Sequence, residues 1–328
     1  MKNVYMRNVF KSARLLLKDK FIGSMLGTFV GDALGMPVEG YSMEAIKDQF
    51  GEIREMLETR AGKGTYTDDT EMMIGTAESL IECRGFNGEH MAKCFLENYH
   101  ENRGYGGGTK KALSLIRDGE LWHKAGEKVV SGGSYGNGSA MRMAPIGILY
   151  FKDEENLRKV AHQASLITHA HTLGKDAAAI QAFAVAKAIQ GNPNSALKKE
   201  AFIDALINFA ETSELKTRLE SIKLIMNHNV SREKIVSILG HSSVSFESVP
   251  ASIYSFLKYP DSFEEAVVYA ISLGGDTDTI GAMTGAISGA FLGIEEIPER
   301  WLNQLENTGK AKAYVNNLAE KLWEIGNY

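Results

Sequence analysis

Apolar residues recur three and four positions apart along most of this chain. Runs of this kind near 21–35, 70–84, 89–99, 109–118, 155–168, 175–190, 200–210, 214–227, 231–239, 245–258, 262–273, 279–292 and 311–325 predict helices that each turn one face to a core. Ser262 followed by Glu265 has the form of a capping box, and Gly119 and Gly191 stand where helices should stop. The alternation of a half-buried strand is scarce, and no Ser/Gly-rich linker separates the runs. The pattern predicts an all-α fold, a single compact many-helix domain over residues 19–328. Residues 1–18 form a basic amphipathic segment, with Lys2, Arg7, Lys11, Arg14 and Lys18 and no acid before Asp19. Val9, Leu15, Leu16 and Leu17 are expected to pack it down; an organellar presequence is the alternative reading of the same charges.

Two helical runs carry glycine at every fourth position: Gly23, Gly27, Gly31 and Gly35, then Gly281, Gly285, Gly289 and Gly293. Each glycine in a helix interior costs about 1 kcal/mol relative to alanine, so the two ladders need a packing reason. Four-residue spacing lines the glycines along one face, where the missing side chains let another backbone approach. If the ladders face each other or share a neighbour, Asp32 and Glu39 are carried toward Asp276 and Asp278. Two independent tight crossings are the alternative.

Those acids matter because the chain holds two dense acidic clusters far apart, Thr67-Asp68-Asp69-Thr70 and Asp276-Thr277-Asp278-Thr279. Neither contains a Lys or Arg, and neighbouring carboxylates do not all stay ionised without compensation. A pair of divalent cations would balance four aspartates, and hard oxygen ligands without Cys or His favour Mg²⁺ or Mn²⁺ over Zn²⁺. Asp276 and Asp278 point to nearly opposite sides of a helix but to one side of an extended segment, so the second cluster should be a loop entering a helix. Asp and Thr are also common helix caps, and apolar residues follow both clusters directly, so simple capping is the competing reading.

The bulk numbers narrow the field. With 328 residues, 44% apolar, the chain can bury one large core. A net charge of −5 offers no electrostatic footprint for nucleic acid. Only Cys83 and Cys94 are present, without paired-thiol or zinc spacing, which fits a reduced, cytoplasmic setting. No stretch reads as a membrane span; the nearest, residues 280–294, is short and broken by glycines.

Two glycine-rich loops are candidates for holding a ligand. Gly132-Gly133-Ser134-Tyr135-Gly136-Asn137-Gly138-Ser139 is too rich in glycine for a helix or strand, and its successive N–H groups suit a diphosphate, with Tyr135 placed to stack on a base or ribose. Residues 103–109 form a second loop of this character, and neither has Walker spacing. In Thr168-His169-Ala170-His171, at a loop–helix junction, separate roles for the two histidines are expected, with His169 the candidate to touch a substrate.

In this order, the pieces resemble the ADP-ribosylglycohydrolase family, which includes the dinitrogenase-reductase-activating glycohydrolase and the ADP-ribosylhydrolases. The resemblance runs through residues 23–39, 66–70, 103–108, 132–142, 168–174 and 274–281. Residues 133–138 followed by Ala140-Met141-Arg142 look most like the branch that removes ADP-ribose from serine. Residues 243–250 resemble the part of that branch lining the adenosine side, although Ser242 and Ser243 depart from its pattern.

The resemblance implies an all-helical domain with a binuclear metal site of two Mg²⁺, or Mn²⁺, ions. Thr67, Asp68, Asp69, Asp276, Asp278 and Thr279 are then the expected metal ligands. Glu39 matches a glutamate in the family's mobile loop after Gly-Asp-x-x-Gly, and Glu39 or Asp68 is the expected catalytic base. Gly132, Gly133, Ser134, Tyr135, Gly136, Asn137 and Gly138 match the diphosphate loop, and His169 the substrate-contacting histidine. The implied partners are ADP-ribose and an ADP-ribosylated protein or peptide, with no membrane, no direct nucleic-acid binding and a monomer expected. Hydrolysis of a ribose–serine bond leads; arginine-linked or O-acetyl-ADP-ribose substrates, a non-catalytic ADP-ribose binder and another two-metal hydrolase are the alternatives.

Overall fold

The structure, a computed structural model, describes residues 2–59 and 61–326, with side chains from Leu16 onward. Among the described residues there are seventeen α-helices and no strand, only an isolated bridge between Gly136 and Val244. The first helix runs unbroken from Lys2 to Gly35. Val9 and Leu15 lie outside the described side chains; Leu17 packs against the core, whereas Leu16 is 36% exposed and does not pack down as expected.

The glycine ladders face each other. A Cβ added at Gly23, Gly27 or Gly31 would lie 2.5, 2.3 or 2.0 Å from the carbonyl oxygen of Gly289, Gly285 or Gly281, so the first helix and the Thr277–Leu292 helix cross with backbones in contact. The pairing is antiparallel: residue numbers rise on one helix as they fall on the other. It ends where Gly35 meets Thr277, whose hydroxyl donates to the Gly35 carbonyl at 2.9 Å. Gly293 has no rung of its own but closes on the Gly23 rung, its carbonyl carbon 2.7 Å from a Cβ added at Gly23. It ends its helix at φ 92°, a backbone conformation that glycine adopts without strain.

This pair forms the spine. The Thr172–Gln190, Ser245–Lys258, Phe263–Ile271 and Lys312–Ile325 helices pack around it. Large buried side chains such as Phe21, Phe29, Phe256 and Phe291 fill the spaces between them. The helix Leu16–Val38 corrects the reading of residues 280–294 as the nearest approach to a membrane span. It is long and apolar enough by composition, at mean hydropathy 1.3, but 89% of that window is buried inside the fold. Its hydrophobicity is that of a central helix surrounded on all sides.

Candidate active site

The spine delivers Asp32 to the first acidic cluster. Asp32 follows the Gly31 rung and is fully buried. Its carboxylate accepts from the Thr67 amide at 3.0 and 3.1 Å, the Thr67 hydroxyl at 2.9 Å, the Thr70 amide at 3.1 Å and the Thr70 hydroxyl at 2.6 Å. Thr67 caps the Asp68–Glu82 helix, its own hydroxyl oxygen accepting from the Asp69 amide at 3.3 Å. Capping thus explains part of the cluster's composition, and the carboxylates stand at the positive end of the helix dipole. Capping alone does not explain the rest. Asp69 is 2% exposed, and its Oδ1 has no hydrogen-bond partner.

The second cluster is a loop entering a helix, as expected. Asp276 has φ −87° and ψ 69°, and the helix begins at Thr277. The Asp276 amide donates to the His241 carbonyl at 2.9 Å, and Asn137 Nδ2 donates to Asp276 Oδ2. The clusters meet directly where the Thr279 hydroxyl donates to Asp69 Oδ2 at 3.3 Å. Glu39, Asp276 and Asp278 place carboxylate oxygens within 4.8 Å of one another. Glu39 reaches them because its loop is tied to the second cluster, Gly40 N–H donating to the Gly275 carbonyl at 2.8 Å and Gly275 N–H to the Tyr41 carbonyl at 2.9 Å.

So many carboxylates, most of them buried, raise one another. Burial pushes Asp69 and Asp278 well above the ordinary aspartate value, and each is raised further by neighbouring acids. Asp68 is pushed up to about 8 by burial and then by Asp32. Asp32 itself rises only to about 6, because its burial is opposed by the four Thr67 and Thr70 donors. Glu39 and Asp276 are also raised, chiefly by burial. Unpartnered Asp69 Oδ1, the surrounding hard oxygen donors and their mutual repulsion fit a divalent cation of the Mg²⁺ class.

The carboxylates form the floor of a cavity of ≈ 280 Å³. Gly104, Gly106, Gly108 and Thr109 form one wall; Ser134, Gly136, Asn137, Gly138 and Ser243 form another, with His169 beside them. Gly132, Gly133 and Tyr135 stand outside the lining. Gly133 makes the turn, where φ is 80° and a Cβ would meet the His171 amide nitrogen at 2.5 Å. Tyr135 is 47% exposed at the rim, its ring 5.4 Å from His171 and 6.0 Å from Phe246. Two amides of the expected anion nest are already used: Gly136 N–H donates to Ser134 Oγ at 3.2 Å, and Asn137 N–H to the Ser243 carbonyl at 2.9 Å. The second bond ties the loop to residues 243–245, where Ser245 N–H and Oγ both donate to the Tyr135 carbonyl, at 3.0 and 2.7 Å.

The two histidines have separate roles. His171 Nδ1 accepts from the Leu173 amide at 3.1 Å and caps a helix. His169 is buried against Gly136 and Gly138, its Nδ1 2.7 Å from Thr168 Oγ1. Burial, aided by the Arg142 charge, lowers its pKa to about 3, so it meets the cavity as a neutral imidazole. A larger depression of ≈ 680 Å³ lies between the Met43–Phe50 and Arg232–Leu239 helices. It is lined by opposed charges, Lys47, Arg232 and Lys258 with Glu44, Asp48 and Glu52, and lacks the convergent carboxylates of the smaller cavity.

Comparison with known proteins converges on one family. The sequence model for ADP-ribosylglycohydrolase matches residues 13–327. ADP-ribosylhydrolase ARH3 of Gallus gallus is 34% identical, with 92% of this chain and 93% of that protein covered. ARH3 of Homo sapiens is 33% identical over 88% and 89%. A solved structure titled "ADP-ribosylglycohydrolase-related protein complex" superposes with a TM-score of 0.75 at 28% identity, covering 95% of this chain and 99% of that one. A match along nearly the whole length, on a helical fold that gathers both acidic clusters at one cavity, places this chain in the ADP-ribosylglycohydrolase family, hydrolases that act on glycosidic bonds.

Proposed function

We propose that this protein hydrolyses the bond between the distal ribose of ADP-ribose and a protein side chain, with O-linked serine as the leaving group and two Mg²⁺ ions, or Mn²⁺, as cofactors. The observation that carries the reading is the meeting of residues 67–70 and 276–279 at one cavity beside the glycine loop. The serine linkage rests on residues 133–138 and 140–142, which are similar to the serine-specific branch. The substrate is then an ADP-ribosylated protein or peptide.

Asp68, Asp69, Asp276 and Asp278, with Thr67 and Thr279, would hold the ions, which when bound supply charge stabilisation and orient the ribose hydroxyls. Thr67 enters this set on the resemblance, since its hydroxyl is engaged by Asp32. Glu39 is the better placed of the two candidate bases. Both line the cavity, but Glu39 is exposed there beside Asp276 and Asp278, whereas Asp68 is half-buried. The Glu39 carboxylate takes the proton of the attacking water as the oxygen adds to the anomeric carbon; the bond from that carbon to the serine oxygen breaks, and the departing oxygen takes a proton from solvent water and leaves as the serine hydroxyl. His169, being neutral, is suited to hydrogen bonding and brings no charge to the sugar. Gly136 and Gly138, which lack side chains, let the backbone approach a diphosphate closely, and Tyr135, half exposed at the rim, can stack on the base or ribose.

Product analysis tests this. Incubated with Mg²⁺ and serine- or arginine-linked ADP-ribosyl peptides, the protein should release free ADP-ribose from the serine peptide, and EDTA should abolish release. Release from the arginine peptide alone would move the leaving group to a guanidinium. Phosphate release would indicate another two-metal hydrolase, and tight binding without product a reader of the modification.

A further inference from the structure

The wall of the cavity formed by residues 104–108 contains four glycines, Gly104, Gly106, Gly107 and Gly108, and has few side chains with which to fix itself. Gly107 and Gly108 open the Gly107–Arg117 helix, but residues 104–106 lie outside it, and glycine-rich backbone has the largest conformational freedom to lose, so something else must hold that part in place. Glu71 is the holder. It is 2% exposed, one residue beyond the first acidic cluster on the same helix, and a carboxylate buried there requires donors. Tyr105 Oη donates to Glu71 Oε2 at 2.8 Å, the His100 amide donates to the same oxygen at 3.0 Å, and His100 Nδ1 lies 2.7 Å from Oε1. Arg103 Nε is a further 3.8 Å neighbour of Oε1. All of these groups come from residues 100–105.

Arg103 fastens the middle of the segment. Its guanidinium makes two bonds of 2.9 Å to Glu306, donates to the Tyr66 carbonyl at 3.0 Å and stacks on the Tyr66 ring at 3.6 Å. The outcome is the position of Gly104, which has φ 86° and whose added Cβ would stand 3.7 Å from Asp68 Oδ1. A side chain as small as a methyl group at residue 104 would therefore touch the acidic cluster, and Tyr66, immediately before Thr67, is the shared anchor.

We propose that Glu71 is a positioning residue for the reaction: through Tyr105 and His100 it fixes residues 104–108 as the substrate-facing wall over Asp68. This rests on the glycohydrolase reading for its kinetic consequence but not for its structural one. Glu71 does not line the cavity, so its loss should act through the wall and leave the chemical step in place.

The test uses the full chain with Tyr105→Phe, which removes a single hydroxyl, and Glu71→Gln, which keeps the shape and loses the charge. Backbone hydrogen exchange at the bonded amides that flank the wall, His100, Arg103 and Lys110, should rise at least about tenfold in both while the spine helices stay protected. With a serine-linked ADP-ribosyl peptide, KM should rise about fivefold for Tyr105→Phe and more for Glu71→Gln, with kcat within about twofold of the unsubstituted protein. Unchanged exchange at His100, Arg103 and Lys110, or a lower Tm with an unchanged KM, would overturn the proposal, as would a loss confined to kcat. Were the unsubstituted protein itself to release no ADP-ribose, the glycohydrolase reading would fall, and the exchange measurement would still decide whether Glu71 holds the wall.

Discussion

The two acidic clusters reach the same cavity on different supports. Residues 67–70 are organised from within the scaffold: Asp32, on the spine helix, takes two amides and two hydroxyls from Thr67 and Thr70. Residues 276–279 are tied to the spine through Thr277 and to the His241 carbonyl through the Asp276 amide, but the Asp276 carboxylate itself accepts from Asn137, which lines the cavity. The first arrangement is set by neutral donors before any ligand arrives. In the second, a candidate metal carboxylate is joined to the substrate-facing loop. Both depend on the glycine ladder, which brings the two halves of the chain together.

The largest effect should follow from breaking that common support. Gly31→Leu puts a side chain where even a Cβ lies 2.0 Å from the Gly281 carbonyl oxygen, and the obstacle is backbone that does not move aside. A loss of about 4 kcal/mol or more is expected, read as failure to fold or a collapse of Tm by circular dichroism.

The next effect is on pH dependence without metal. Asp68, raised to about 8, and Asp32, raised to about 6, keep protons in the folded chain that the unfolded chain releases near its ordinary 3.8. Between about pH 4 and 8 the unfolded state therefore binds fewer protons, and stability in EDTA should fall as pH rises. Calorimetric Tm at pH 5 and pH 8 checks the sign, and saturating Mg²⁺ should flatten the slope. A Tm that rises over this range in EDTA would mean the acids are not forced together.

Smaller effects separate the two supports. Asn137→Ala should cut ADP-ribose release about tenfold at a stability cost of about 1 kcal/mol, since it unties the second cluster from the loop. Thr70→Val should show the reverse balance, costing about 1–3 kcal/mol by chemical denaturation with release within about threefold, since Thr67 still holds Asp32.

Much of this site was legible in the chain because it is written in short-range patterns. Glycines four apart disclosed a close crossing, and acids crowded within four residues disclosed a charge problem; the loop entering a helix is there, but not the extended backbone expected through Asp278, which already lies in the helix. Asp32 and Glu39 followed only on the condition that the ladders met, which they do. What the chain concealed depends on distant partners. Nothing around Glu71 announces that its donors come from residues 100 and 105, and the bond from Asn137 to Asp276 spans 139 positions. Nor does composition tell a membrane-crossing helix from one that the rest of the fold encloses, as the Leu16–Val38 window illustrates.

The central claim is that the two clusters together form one shared site for the two cations. Calorimetric titration with Mg²⁺ of the unsubstituted protein, Asp69→Ala and Asp278→Ala tests it most directly. Shared coordination predicts that the unsubstituted protein binds and that either substitution alone, from either end of the chain, removes or severely weakens all binding. Independent binding that survives intact at one cluster when the other is substituted, or no binding by the unsubstituted protein, would contradict it.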